Sequence, residues 1–156
     1  MRVEYINPFV EAAYNVLKEV LNNEVKRGDL SLKSTSMRIQ GVAALVGLAG
    51  DVEGRVLFDM TKETALAVSS AMNGMAFTAM DDLAKSTIQE LANMITAQAI
   101  TKLHDLGFKF DLTPPALFTG DNMEVSNNQK MEALVVPMEL GTIGKIEVNV
   151  AIRERA

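Results

Sequence analysis

The chain has no cysteine, no tryptophan and a single histidine, His104, among its 156 residues. The missing thiols exclude disulfides, thiolate metal sites and thiol nucleophiles together, and one imidazole cannot build a multi-histidine metal site. Positive charge is also short. Fifteen lysines and arginines against 20 aspartates and glutamates leave a net charge of -5, the wrong sign for neutralising nucleic-acid phosphates. No stretch approaches 18 uncharged apolar residues, the length a membrane helix needs. Glu4 and Glu11 interrupt the amino-terminal segment where a secretory signal would be apolar. These absences predict a cytoplasmic protein with no nucleic-acid or membrane partner. Its chemistry is left to carboxylates, amides, hydroxyls and lysines.

What the chain does have is core material. With 48% apolar and 22% charged residues it is far from the composition of disordered chains, and its length predicts one domain, 1–156. Asn7-Pro8 predicts a helix start, since the Asn side chain can accept from free amides and Pro at the first helical position has none to lose. Phe9, Ala13, Val16, Leu17, Val20 and Leu21 follow at helical spacing, giving a helix over about 8–22. From Leu32 to Met60 three strands are predicted: one at Met37 and Ile39, one at Val42–Leu48 and one at Val56–Met60, the last two a hairpin around Asp51–Gly54. Thr61 and Gly74 bracket a second helix over about 62–72. Thr78 and Asp81 form a capping box for the longest helix, about 79–106, which Gly107 stops. Short or long strands are expected at about 108–112, 116–118, 122–127, 131–138 and 144–153, with Thr113-Pro114-Pro115 excluded from any central ladder.

The two hairpin segments can be superposed in sequence, Leu45 on Leu134 and Gly54 on Gly144, with a long helix upstream of each. This predicts an internal pseudo-repeat, about 1–74 and 79–156. The fold class is α+β: an antiparallel sheet of two related hairpins plus shorter strands, with long helices on one face. The segment Lys145–Arg153 alternates throughout and reads as a sheet edge open to pairing.

In the longest helix, Ala84, Ile88, Leu91, Ile95 and Ala99 make an apolar stripe. At about 100° per residue, Ser86, Glu90, Asn93 and Ala97 form a second stripe that is short-chained around one carboxylate and one carboxamide. Glu-x-x-Asn alone means little, because the chain holds four copies, at 4/7, 19/22, 90/93 and 124/127. Only the copy at 90 has a Ser four residues earlier in mid-helix.

Ser86-xxx-Glu90-Leu-Ala-Asn93-Met, preceded by Met80-Asp-Asp-Leu-Ala and followed by Leu106-Gly and Asp111-Leu-Thr-Pro-Pro115, resembles the signature of the CheC/CheX/FliY family of chemotaxis phosphatases. The resemblance extends from Glu53-Gly54 and Thr64–Gly74 to the second hairpin and is nearest to the CheX branch. Helix 1 offers Glu11-Ala-Ala-Tyr14 where a second site would need an amide, which resembles the single-site arrangement of that branch. The resemblance implies hydrolysis of the aspartyl phosphate on a CheY-type response regulator. Asn93 would hold the attacking water, Glu90 would pair with the regulator's active-site lysine, and Ser86 and Ala97 would let the partner approach. It implies no cofactor of the chain's own, magnesium being supplied in the partner's site, and a homodimer through sheet edges. Many members carry glycines where Ala92 and Ala97 stand. Relative to glycine, the Ala97 methyl on the stripe would limit how closely the partner docks, whereas Ala92 points to the opposite side. A non-catalytic module that docks a receiver or a flagellar switch component with the same helix is the competing reading. An unrelated enzyme is disfavoured, for the sequence has no triad, phosphate loop or metal cluster.

The remaining candidates have plainer readings. His104 ends the long helix, where an imidazolium meets the helix's negative end. Met72, Met75, Met80 and Met94 mark either an adaptable surface or core filling. Asp51, Asp81, Asp82 and Asp121 fit no metal-loop spacing, and Asp81 is accounted for as a cap. Lys62, Lys85 and Lys102 are expected to be solvated.

Overall fold

In the computed structural model, which describes residues 3–34, 37–125 and 132–155, helix α1 (Val3–Leu21) leads into the short strands β1 (Lys26–Arg27), β2 (Ser31–Ser34) and β3 (Met37–Arg38). A long hairpin follows, β4 (Val42–Gly50) and β5 (Val52–Met60), and then helices α2 (Lys62–Asn73) and α3 (Asp82–Asp105). Strands β6 (Phe110–Leu112), β7 (Ala116–Thr119) and β8 (Glu124–Val125) precede the second hairpin, β9 (Glu132–Glu139) and β10 (Lys145–Glu154).

The main sheet runs β1-β9-β10-β5-β4-β6, with β2 also on β9 and β7 also on β4, while β3 and β8 form a separate ribbon. The pairings are antiparallel. Alternation decides the faces. Val46, Val56, Phe58, Val148 and Val150 point into one core with Phe9, Val16, Ile88 and Ile95 of the helices. The opposite residues Ala43 and Leu57 pack with Ile39, Leu45, Met123 and Val125 in a smaller cluster. The architecture is the expected α+β fold with helices on one face.

Several boundaries differ from the sequence expectation. Helix α1 starts at Val3 and runs through Pro8. The signal at Asn7-Pro8 is overridden because Tyr5, Ile6, Phe9 and Val10 are all buried and the Tyr5 ring meets Phe108 edge-on at 5.1 Å. A proline so near the helix start removes one backbone bond only. Helix α3 begins at Asp82, its cap being the Asp81 carboxylate, which accepts from the Ala84 amide at 2.8 Å; Thr78 lies outside the helix. A fourth strand, β2, precedes β3, and β5 reaches back to Val52. The predicted strand at 122–127 is β8, and its last two residues, with Met131 and the Glu124/Asn127 copy's amide, lie outside the described residues.

Two corrections concern the sheet. Strand β10 is central and hydrogen-bonded on both sides, to β9 and β5. The alternation that suggested an edge comes from Ile146, Val148, Val150 and Ile152 facing the helices, and Asn149 and Ala151 on the other face are buried too. The superposition of Leu45 on Leu134 also fails. Leu134 packs on the helix-side core and Leu45 on the opposite cluster, because an odd offset moves a strand residue to the other face. Opposite Phe58 in β5 stands Ala44, and opposite Val148 in β10 stands Val136; these are the matching positions. The central pair β5–β10 is centred on Phe58 opposite Val148, with Asp59 opposite Glu147 and Leu57 opposite Asn149, so the pairing is unchanged when each residue is exchanged for the one 90 positions away.

Candidate functional site

Helix α3 is seated by burial. Ala84, Ile88, Leu91, Ile95, Ala99 and Leu103 are at most 2% exposed, and each of the larger side chains contributes roughly 1.5–3 kcal/mol of transfer free energy. With that stripe inward, the 3.6-residue repeat leaves Ser86, Glu90, Asn93 and Ala97 outward. All four are exposed, so the structure brings the predicted site residues together in one row. Ala92 is buried in the core and takes no part in the exposed stripe.

The side chains of the row differ in what holds them. The Ser86 hydroxyl donates to the Leu83 carbonyl at 3.0 Å and folds back on the helix, which keeps that end of the stripe low. Ala97 adds one methyl. Among the described residues neither the Glu90 carboxylate nor the Asn93 carboxamide has a hydrogen-bond or ion-pair partner within the chain. Both residues are exposed, and their backbone positions lie about 4.5 Å apart along the helix axis.

The row is convex. The surface clefts beside His104 and Asp111, beside Glu24 and Lys145, beside Asp51 and Arg155 and beside Gln40 and Asp121 are lined by none of Ser86, Glu90, Asn93 or Ala97. Small-molecule sites are concave. An uncommitted carboxylate and carboxamide on a ridge suit a substrate that supplies the concavity, which means a macromolecule.

The flanks of the row carry contacts that no sequence pattern indicated. On one side the Asn73 amide donates to the Thr87 hydroxyl at 2.9 Å and to its own helix at Ser69 carbonyl, 2.8 Å. On the other side the Gln89 amide donates to the Pro115 carbonyl at 3.0 Å. Thr113, in the same loop, binds Gly47 of β4 twice: Thr113 N–H to the Gly47 carbonyl at 2.9 Å and Gly47 N–H to Thr113 Oγ1 at 2.8 Å.

The other candidates are placed as follows. His104 is exposed, its ring meeting that of Phe110 edge-on with centroids 5.3 Å apart. Met72, Met80 and Met94 pack against the core as partly buried fillers, and Met75 is exposed. Asp51 accepts from the Lys109 amide and buttresses the turn beside it. Lys102 pairs with Glu11 of α1, an ion pair at the surface, so Lys102 is not simply solvated. Tyr14, in the place of an amide on α1, is exposed beside Lys18, whose ammonium lies 5.7 Å from its ring. Among the described residues no group of three His, Asp or Glu side chains is placed to hold a metal ion, and no helix is long and apolar enough to cross a membrane.

Residues 42–139 match the chemotaxis phosphatase CheX family. The chain is 33% identical over 128 residues to the CheY-P phosphatase CheX of Thermotoga maritima, covering 81% of this chain and 83% of that protein. Its fold is similar to CheX in the crystal structure of the CheX-CheY-BeF3-Mg+2 complex from Borrelia burgdorferi, with a TM-score of 0.85, 44% identity, and coverage of 98% of this chain and 100% of that one. It is also similar to the chemotaxis protein CheX from Desulfovibrio desulfuricans, with a TM-score of 0.84 and 27% identity over 98% of this chain and 100% of that one.

Proposed function

Because the chain belongs to the CheX family of chemotaxis phosphatases, we propose that it hydrolyses the aspartyl phosphate of a phosphorylated CheY-type response regulator. The observation that carries this reading is the ridge of α3, where Glu90 and Asn93 stand exposed, adjacent and unengaged between two small residues. The relative solved in a complex with CheY, BeF3 and magnesium supports the same partner and supports a metal supplied in the receiver's site. Magnesium bound there neutralises charge on the phosphoryl oxygens.

The chain's own contribution is positioning. The α3 ridge inserts into the receiver's cleft, and the Glu90 carboxylate pairs with the receiver's active-site lysine in a charge-assisted bond. The Asn93 carboxamide both accepts and donates, so it holds one water in line with the phosphorus and the aspartyl oxygen. Water oxygen bonds to phosphorus as the phosphorus–aspartyl oxygen bond breaks, the aspartate leaves as a carboxylate and the water's proton passes to phosphate. Orientation of this kind supplies several kcal/mol of the barrier. Ser86 and Ala97 leave room for the receiver's loops. The proposal includes a cytoplasmic location, no cofactor resident in this chain, and a homodimer through a sheet edge. The exposed Leu30 and Leu32 at the β2 edge support that edge as the dimer contact. It also includes the duplicated origin of the two halves, about 1–74 and 79–156, supported by the symmetric β5–β10 pairing.

Binding of a receiver loaded with beryllofluoride and magnesium tests the docking step. The native protein is expected to bind, and Glu90→Ala to weaken binding about 10–100-fold, the worth of a bond to a charged group. Unchanged binding in that variant contradicts the role of Glu90.

A further inference from the structure

We propose that Gln89 and Thr87 are positioning residues that set the rotation of α3 about its own axis, and through it the aim of Asn93; the inference rests on the phosphatase reading above. Ile88, Leu91, Ile95 and Leu103 seat α3 on the core, while its other buried residues, Ala84, Thr87, Ala92, Thr96 and Ala99, are small. Two lateral hydrogen bonds at the edges of that seat add directional restraint to the packing. At one flank Thr87 is held by Asn73 of α2; at the other Gln89 holds the Pro115 carbonyl. They lie on opposite sides of the Ser86–Glu90–Asn93 row, at the level of Ser86 and Glu90.

Both struts are themselves anchored. Asn73 spends its other amide proton on the Ser69 carbonyl of its own helix, and Thr87 donates its hydroxyl to the Leu83 carbonyl at 2.7 Å, so donor and acceptor are unambiguous along the chain of bonds. The Pro115 loop is tied to β4 through Thr113 and Gly47. Helix α3 is therefore braced against α2 on one side and against the sheet on the other. A side-chain tip lies about 5–6 Å from a helix axis, so a rotation of about 10° moves the Asn93 carboxamide by about 1 Å. Misplacement on that scale costs about 100-fold in rate.

The test uses two isosteric variants of the intact protein. Gln89→Glu replaces the donor with a carboxylate facing a carbonyl, and Thr87→Val removes the acceptor for Asn73. Residual dipolar couplings of the α3 amides form a periodic wave whose phase reports helix rotation, and receiver-phosphate decay gives kcat and KM. The wave is expected to shift phase in each variant, with kcat lowered about 10–100-fold and KM nearly unchanged. For Gln89→Glu, lowering the pH until the introduced carboxyl is protonated restores a donor, so kcat relative to the native protein should recover. An unshifted wave in both variants overturns the proposal whatever the rates do. Failure of the native protein to accelerate decay of any receiver instead removes the phosphatase reading, an outcome the couplings do not share.

Discussion

Asn93 and Glu90 owe their suitability to what surrounds them at the scale of single side chains: one turn of helix presents them, and nothing in the described chain satisfies them first. Two other residues show how much of the molecule depends on single atoms. Gly54 has a φ of 142° and sits against β10 so closely that a Cβ would lie 1.9 Å from the Ala151 carbonyl oxygen. Backbone cannot yield there as a side-chain tip can, so Gly54→Ala should cost at least about 2–3 kcal/mol, from the conformation and the clash together, read as a lower midpoint in urea unfolding. Asp59 is buried, accepts from the Gln40 amide at 3.0 Å and from its side chain at 3.3 Å, and its carboxyl is pushed above the ordinary 3.8 by burial, with Glu147 opposite it adding to the rise and the Gln40 bonds opposing it. An acid whose folded pKa lies above its unfolded value binds more protons when folded, so its stabilising contribution is full below the unfolded pKa and is lost as pH rises through the folded one. Asp59→Asn keeps an oxygen for the Gln40 amide and removes the titration. Its stability relative to the native protein should therefore rise as pH increases from about 4 to 7, and a constant difference across that range contradicts the account.

Elements were legible in the sequence where the cause is local. Helix α2 begins at Thr61, whose side chain accepts from Thr64, and ends at Gly74 in the left-handed conformation, both as the capping pattern predicts. The inward stripe of α3 and its outward row followed from the 3.6-residue period alone. What escaped was set by distant parts of the chain. The start of α1 was decided by burial of Tyr5 against Phe108, just beyond the end of α3. Leu45 and Leu134 were matched by residue type, and type says nothing about face. The braces at Thr87 and Gln89 join residues 14 and 26 positions apart and leave no periodic signal at all. The observed cap makes its own prediction. Asp81→Ala should destabilise the protein by about 1 kcal/mol, measured by urea unfolding, while Thr78→Ala should be nearly silent.

Taken whole, the molecule is a sheet that turns a helix outward. The β5–β10 pairing at its centre joins the two halves, the helices cover one face, and α3 crosses that face with its ridge clear of every cleft described. A site built this way has no pocket to fill and no reactive group of its own. In the proposed function it completes a cleft that belongs to the receiver, and on that reading charge, metal motifs and nucleophiles carry no signal while the short polar row does. The most direct measurement is the decay of a phosphorylated CheY-type receiver from the same genome, in the presence of magnesium, with catalytic amounts of the native protein beside Asn93→Ala. The account predicts accelerated decay with the native protein and loss of at least about 100-fold of that acceleration in the variant, with binding of the beryllofluoride-loaded receiver retained. Native-like acceleration by Asn93→Ala, or binding without acceleration by the native protein, would contradict it.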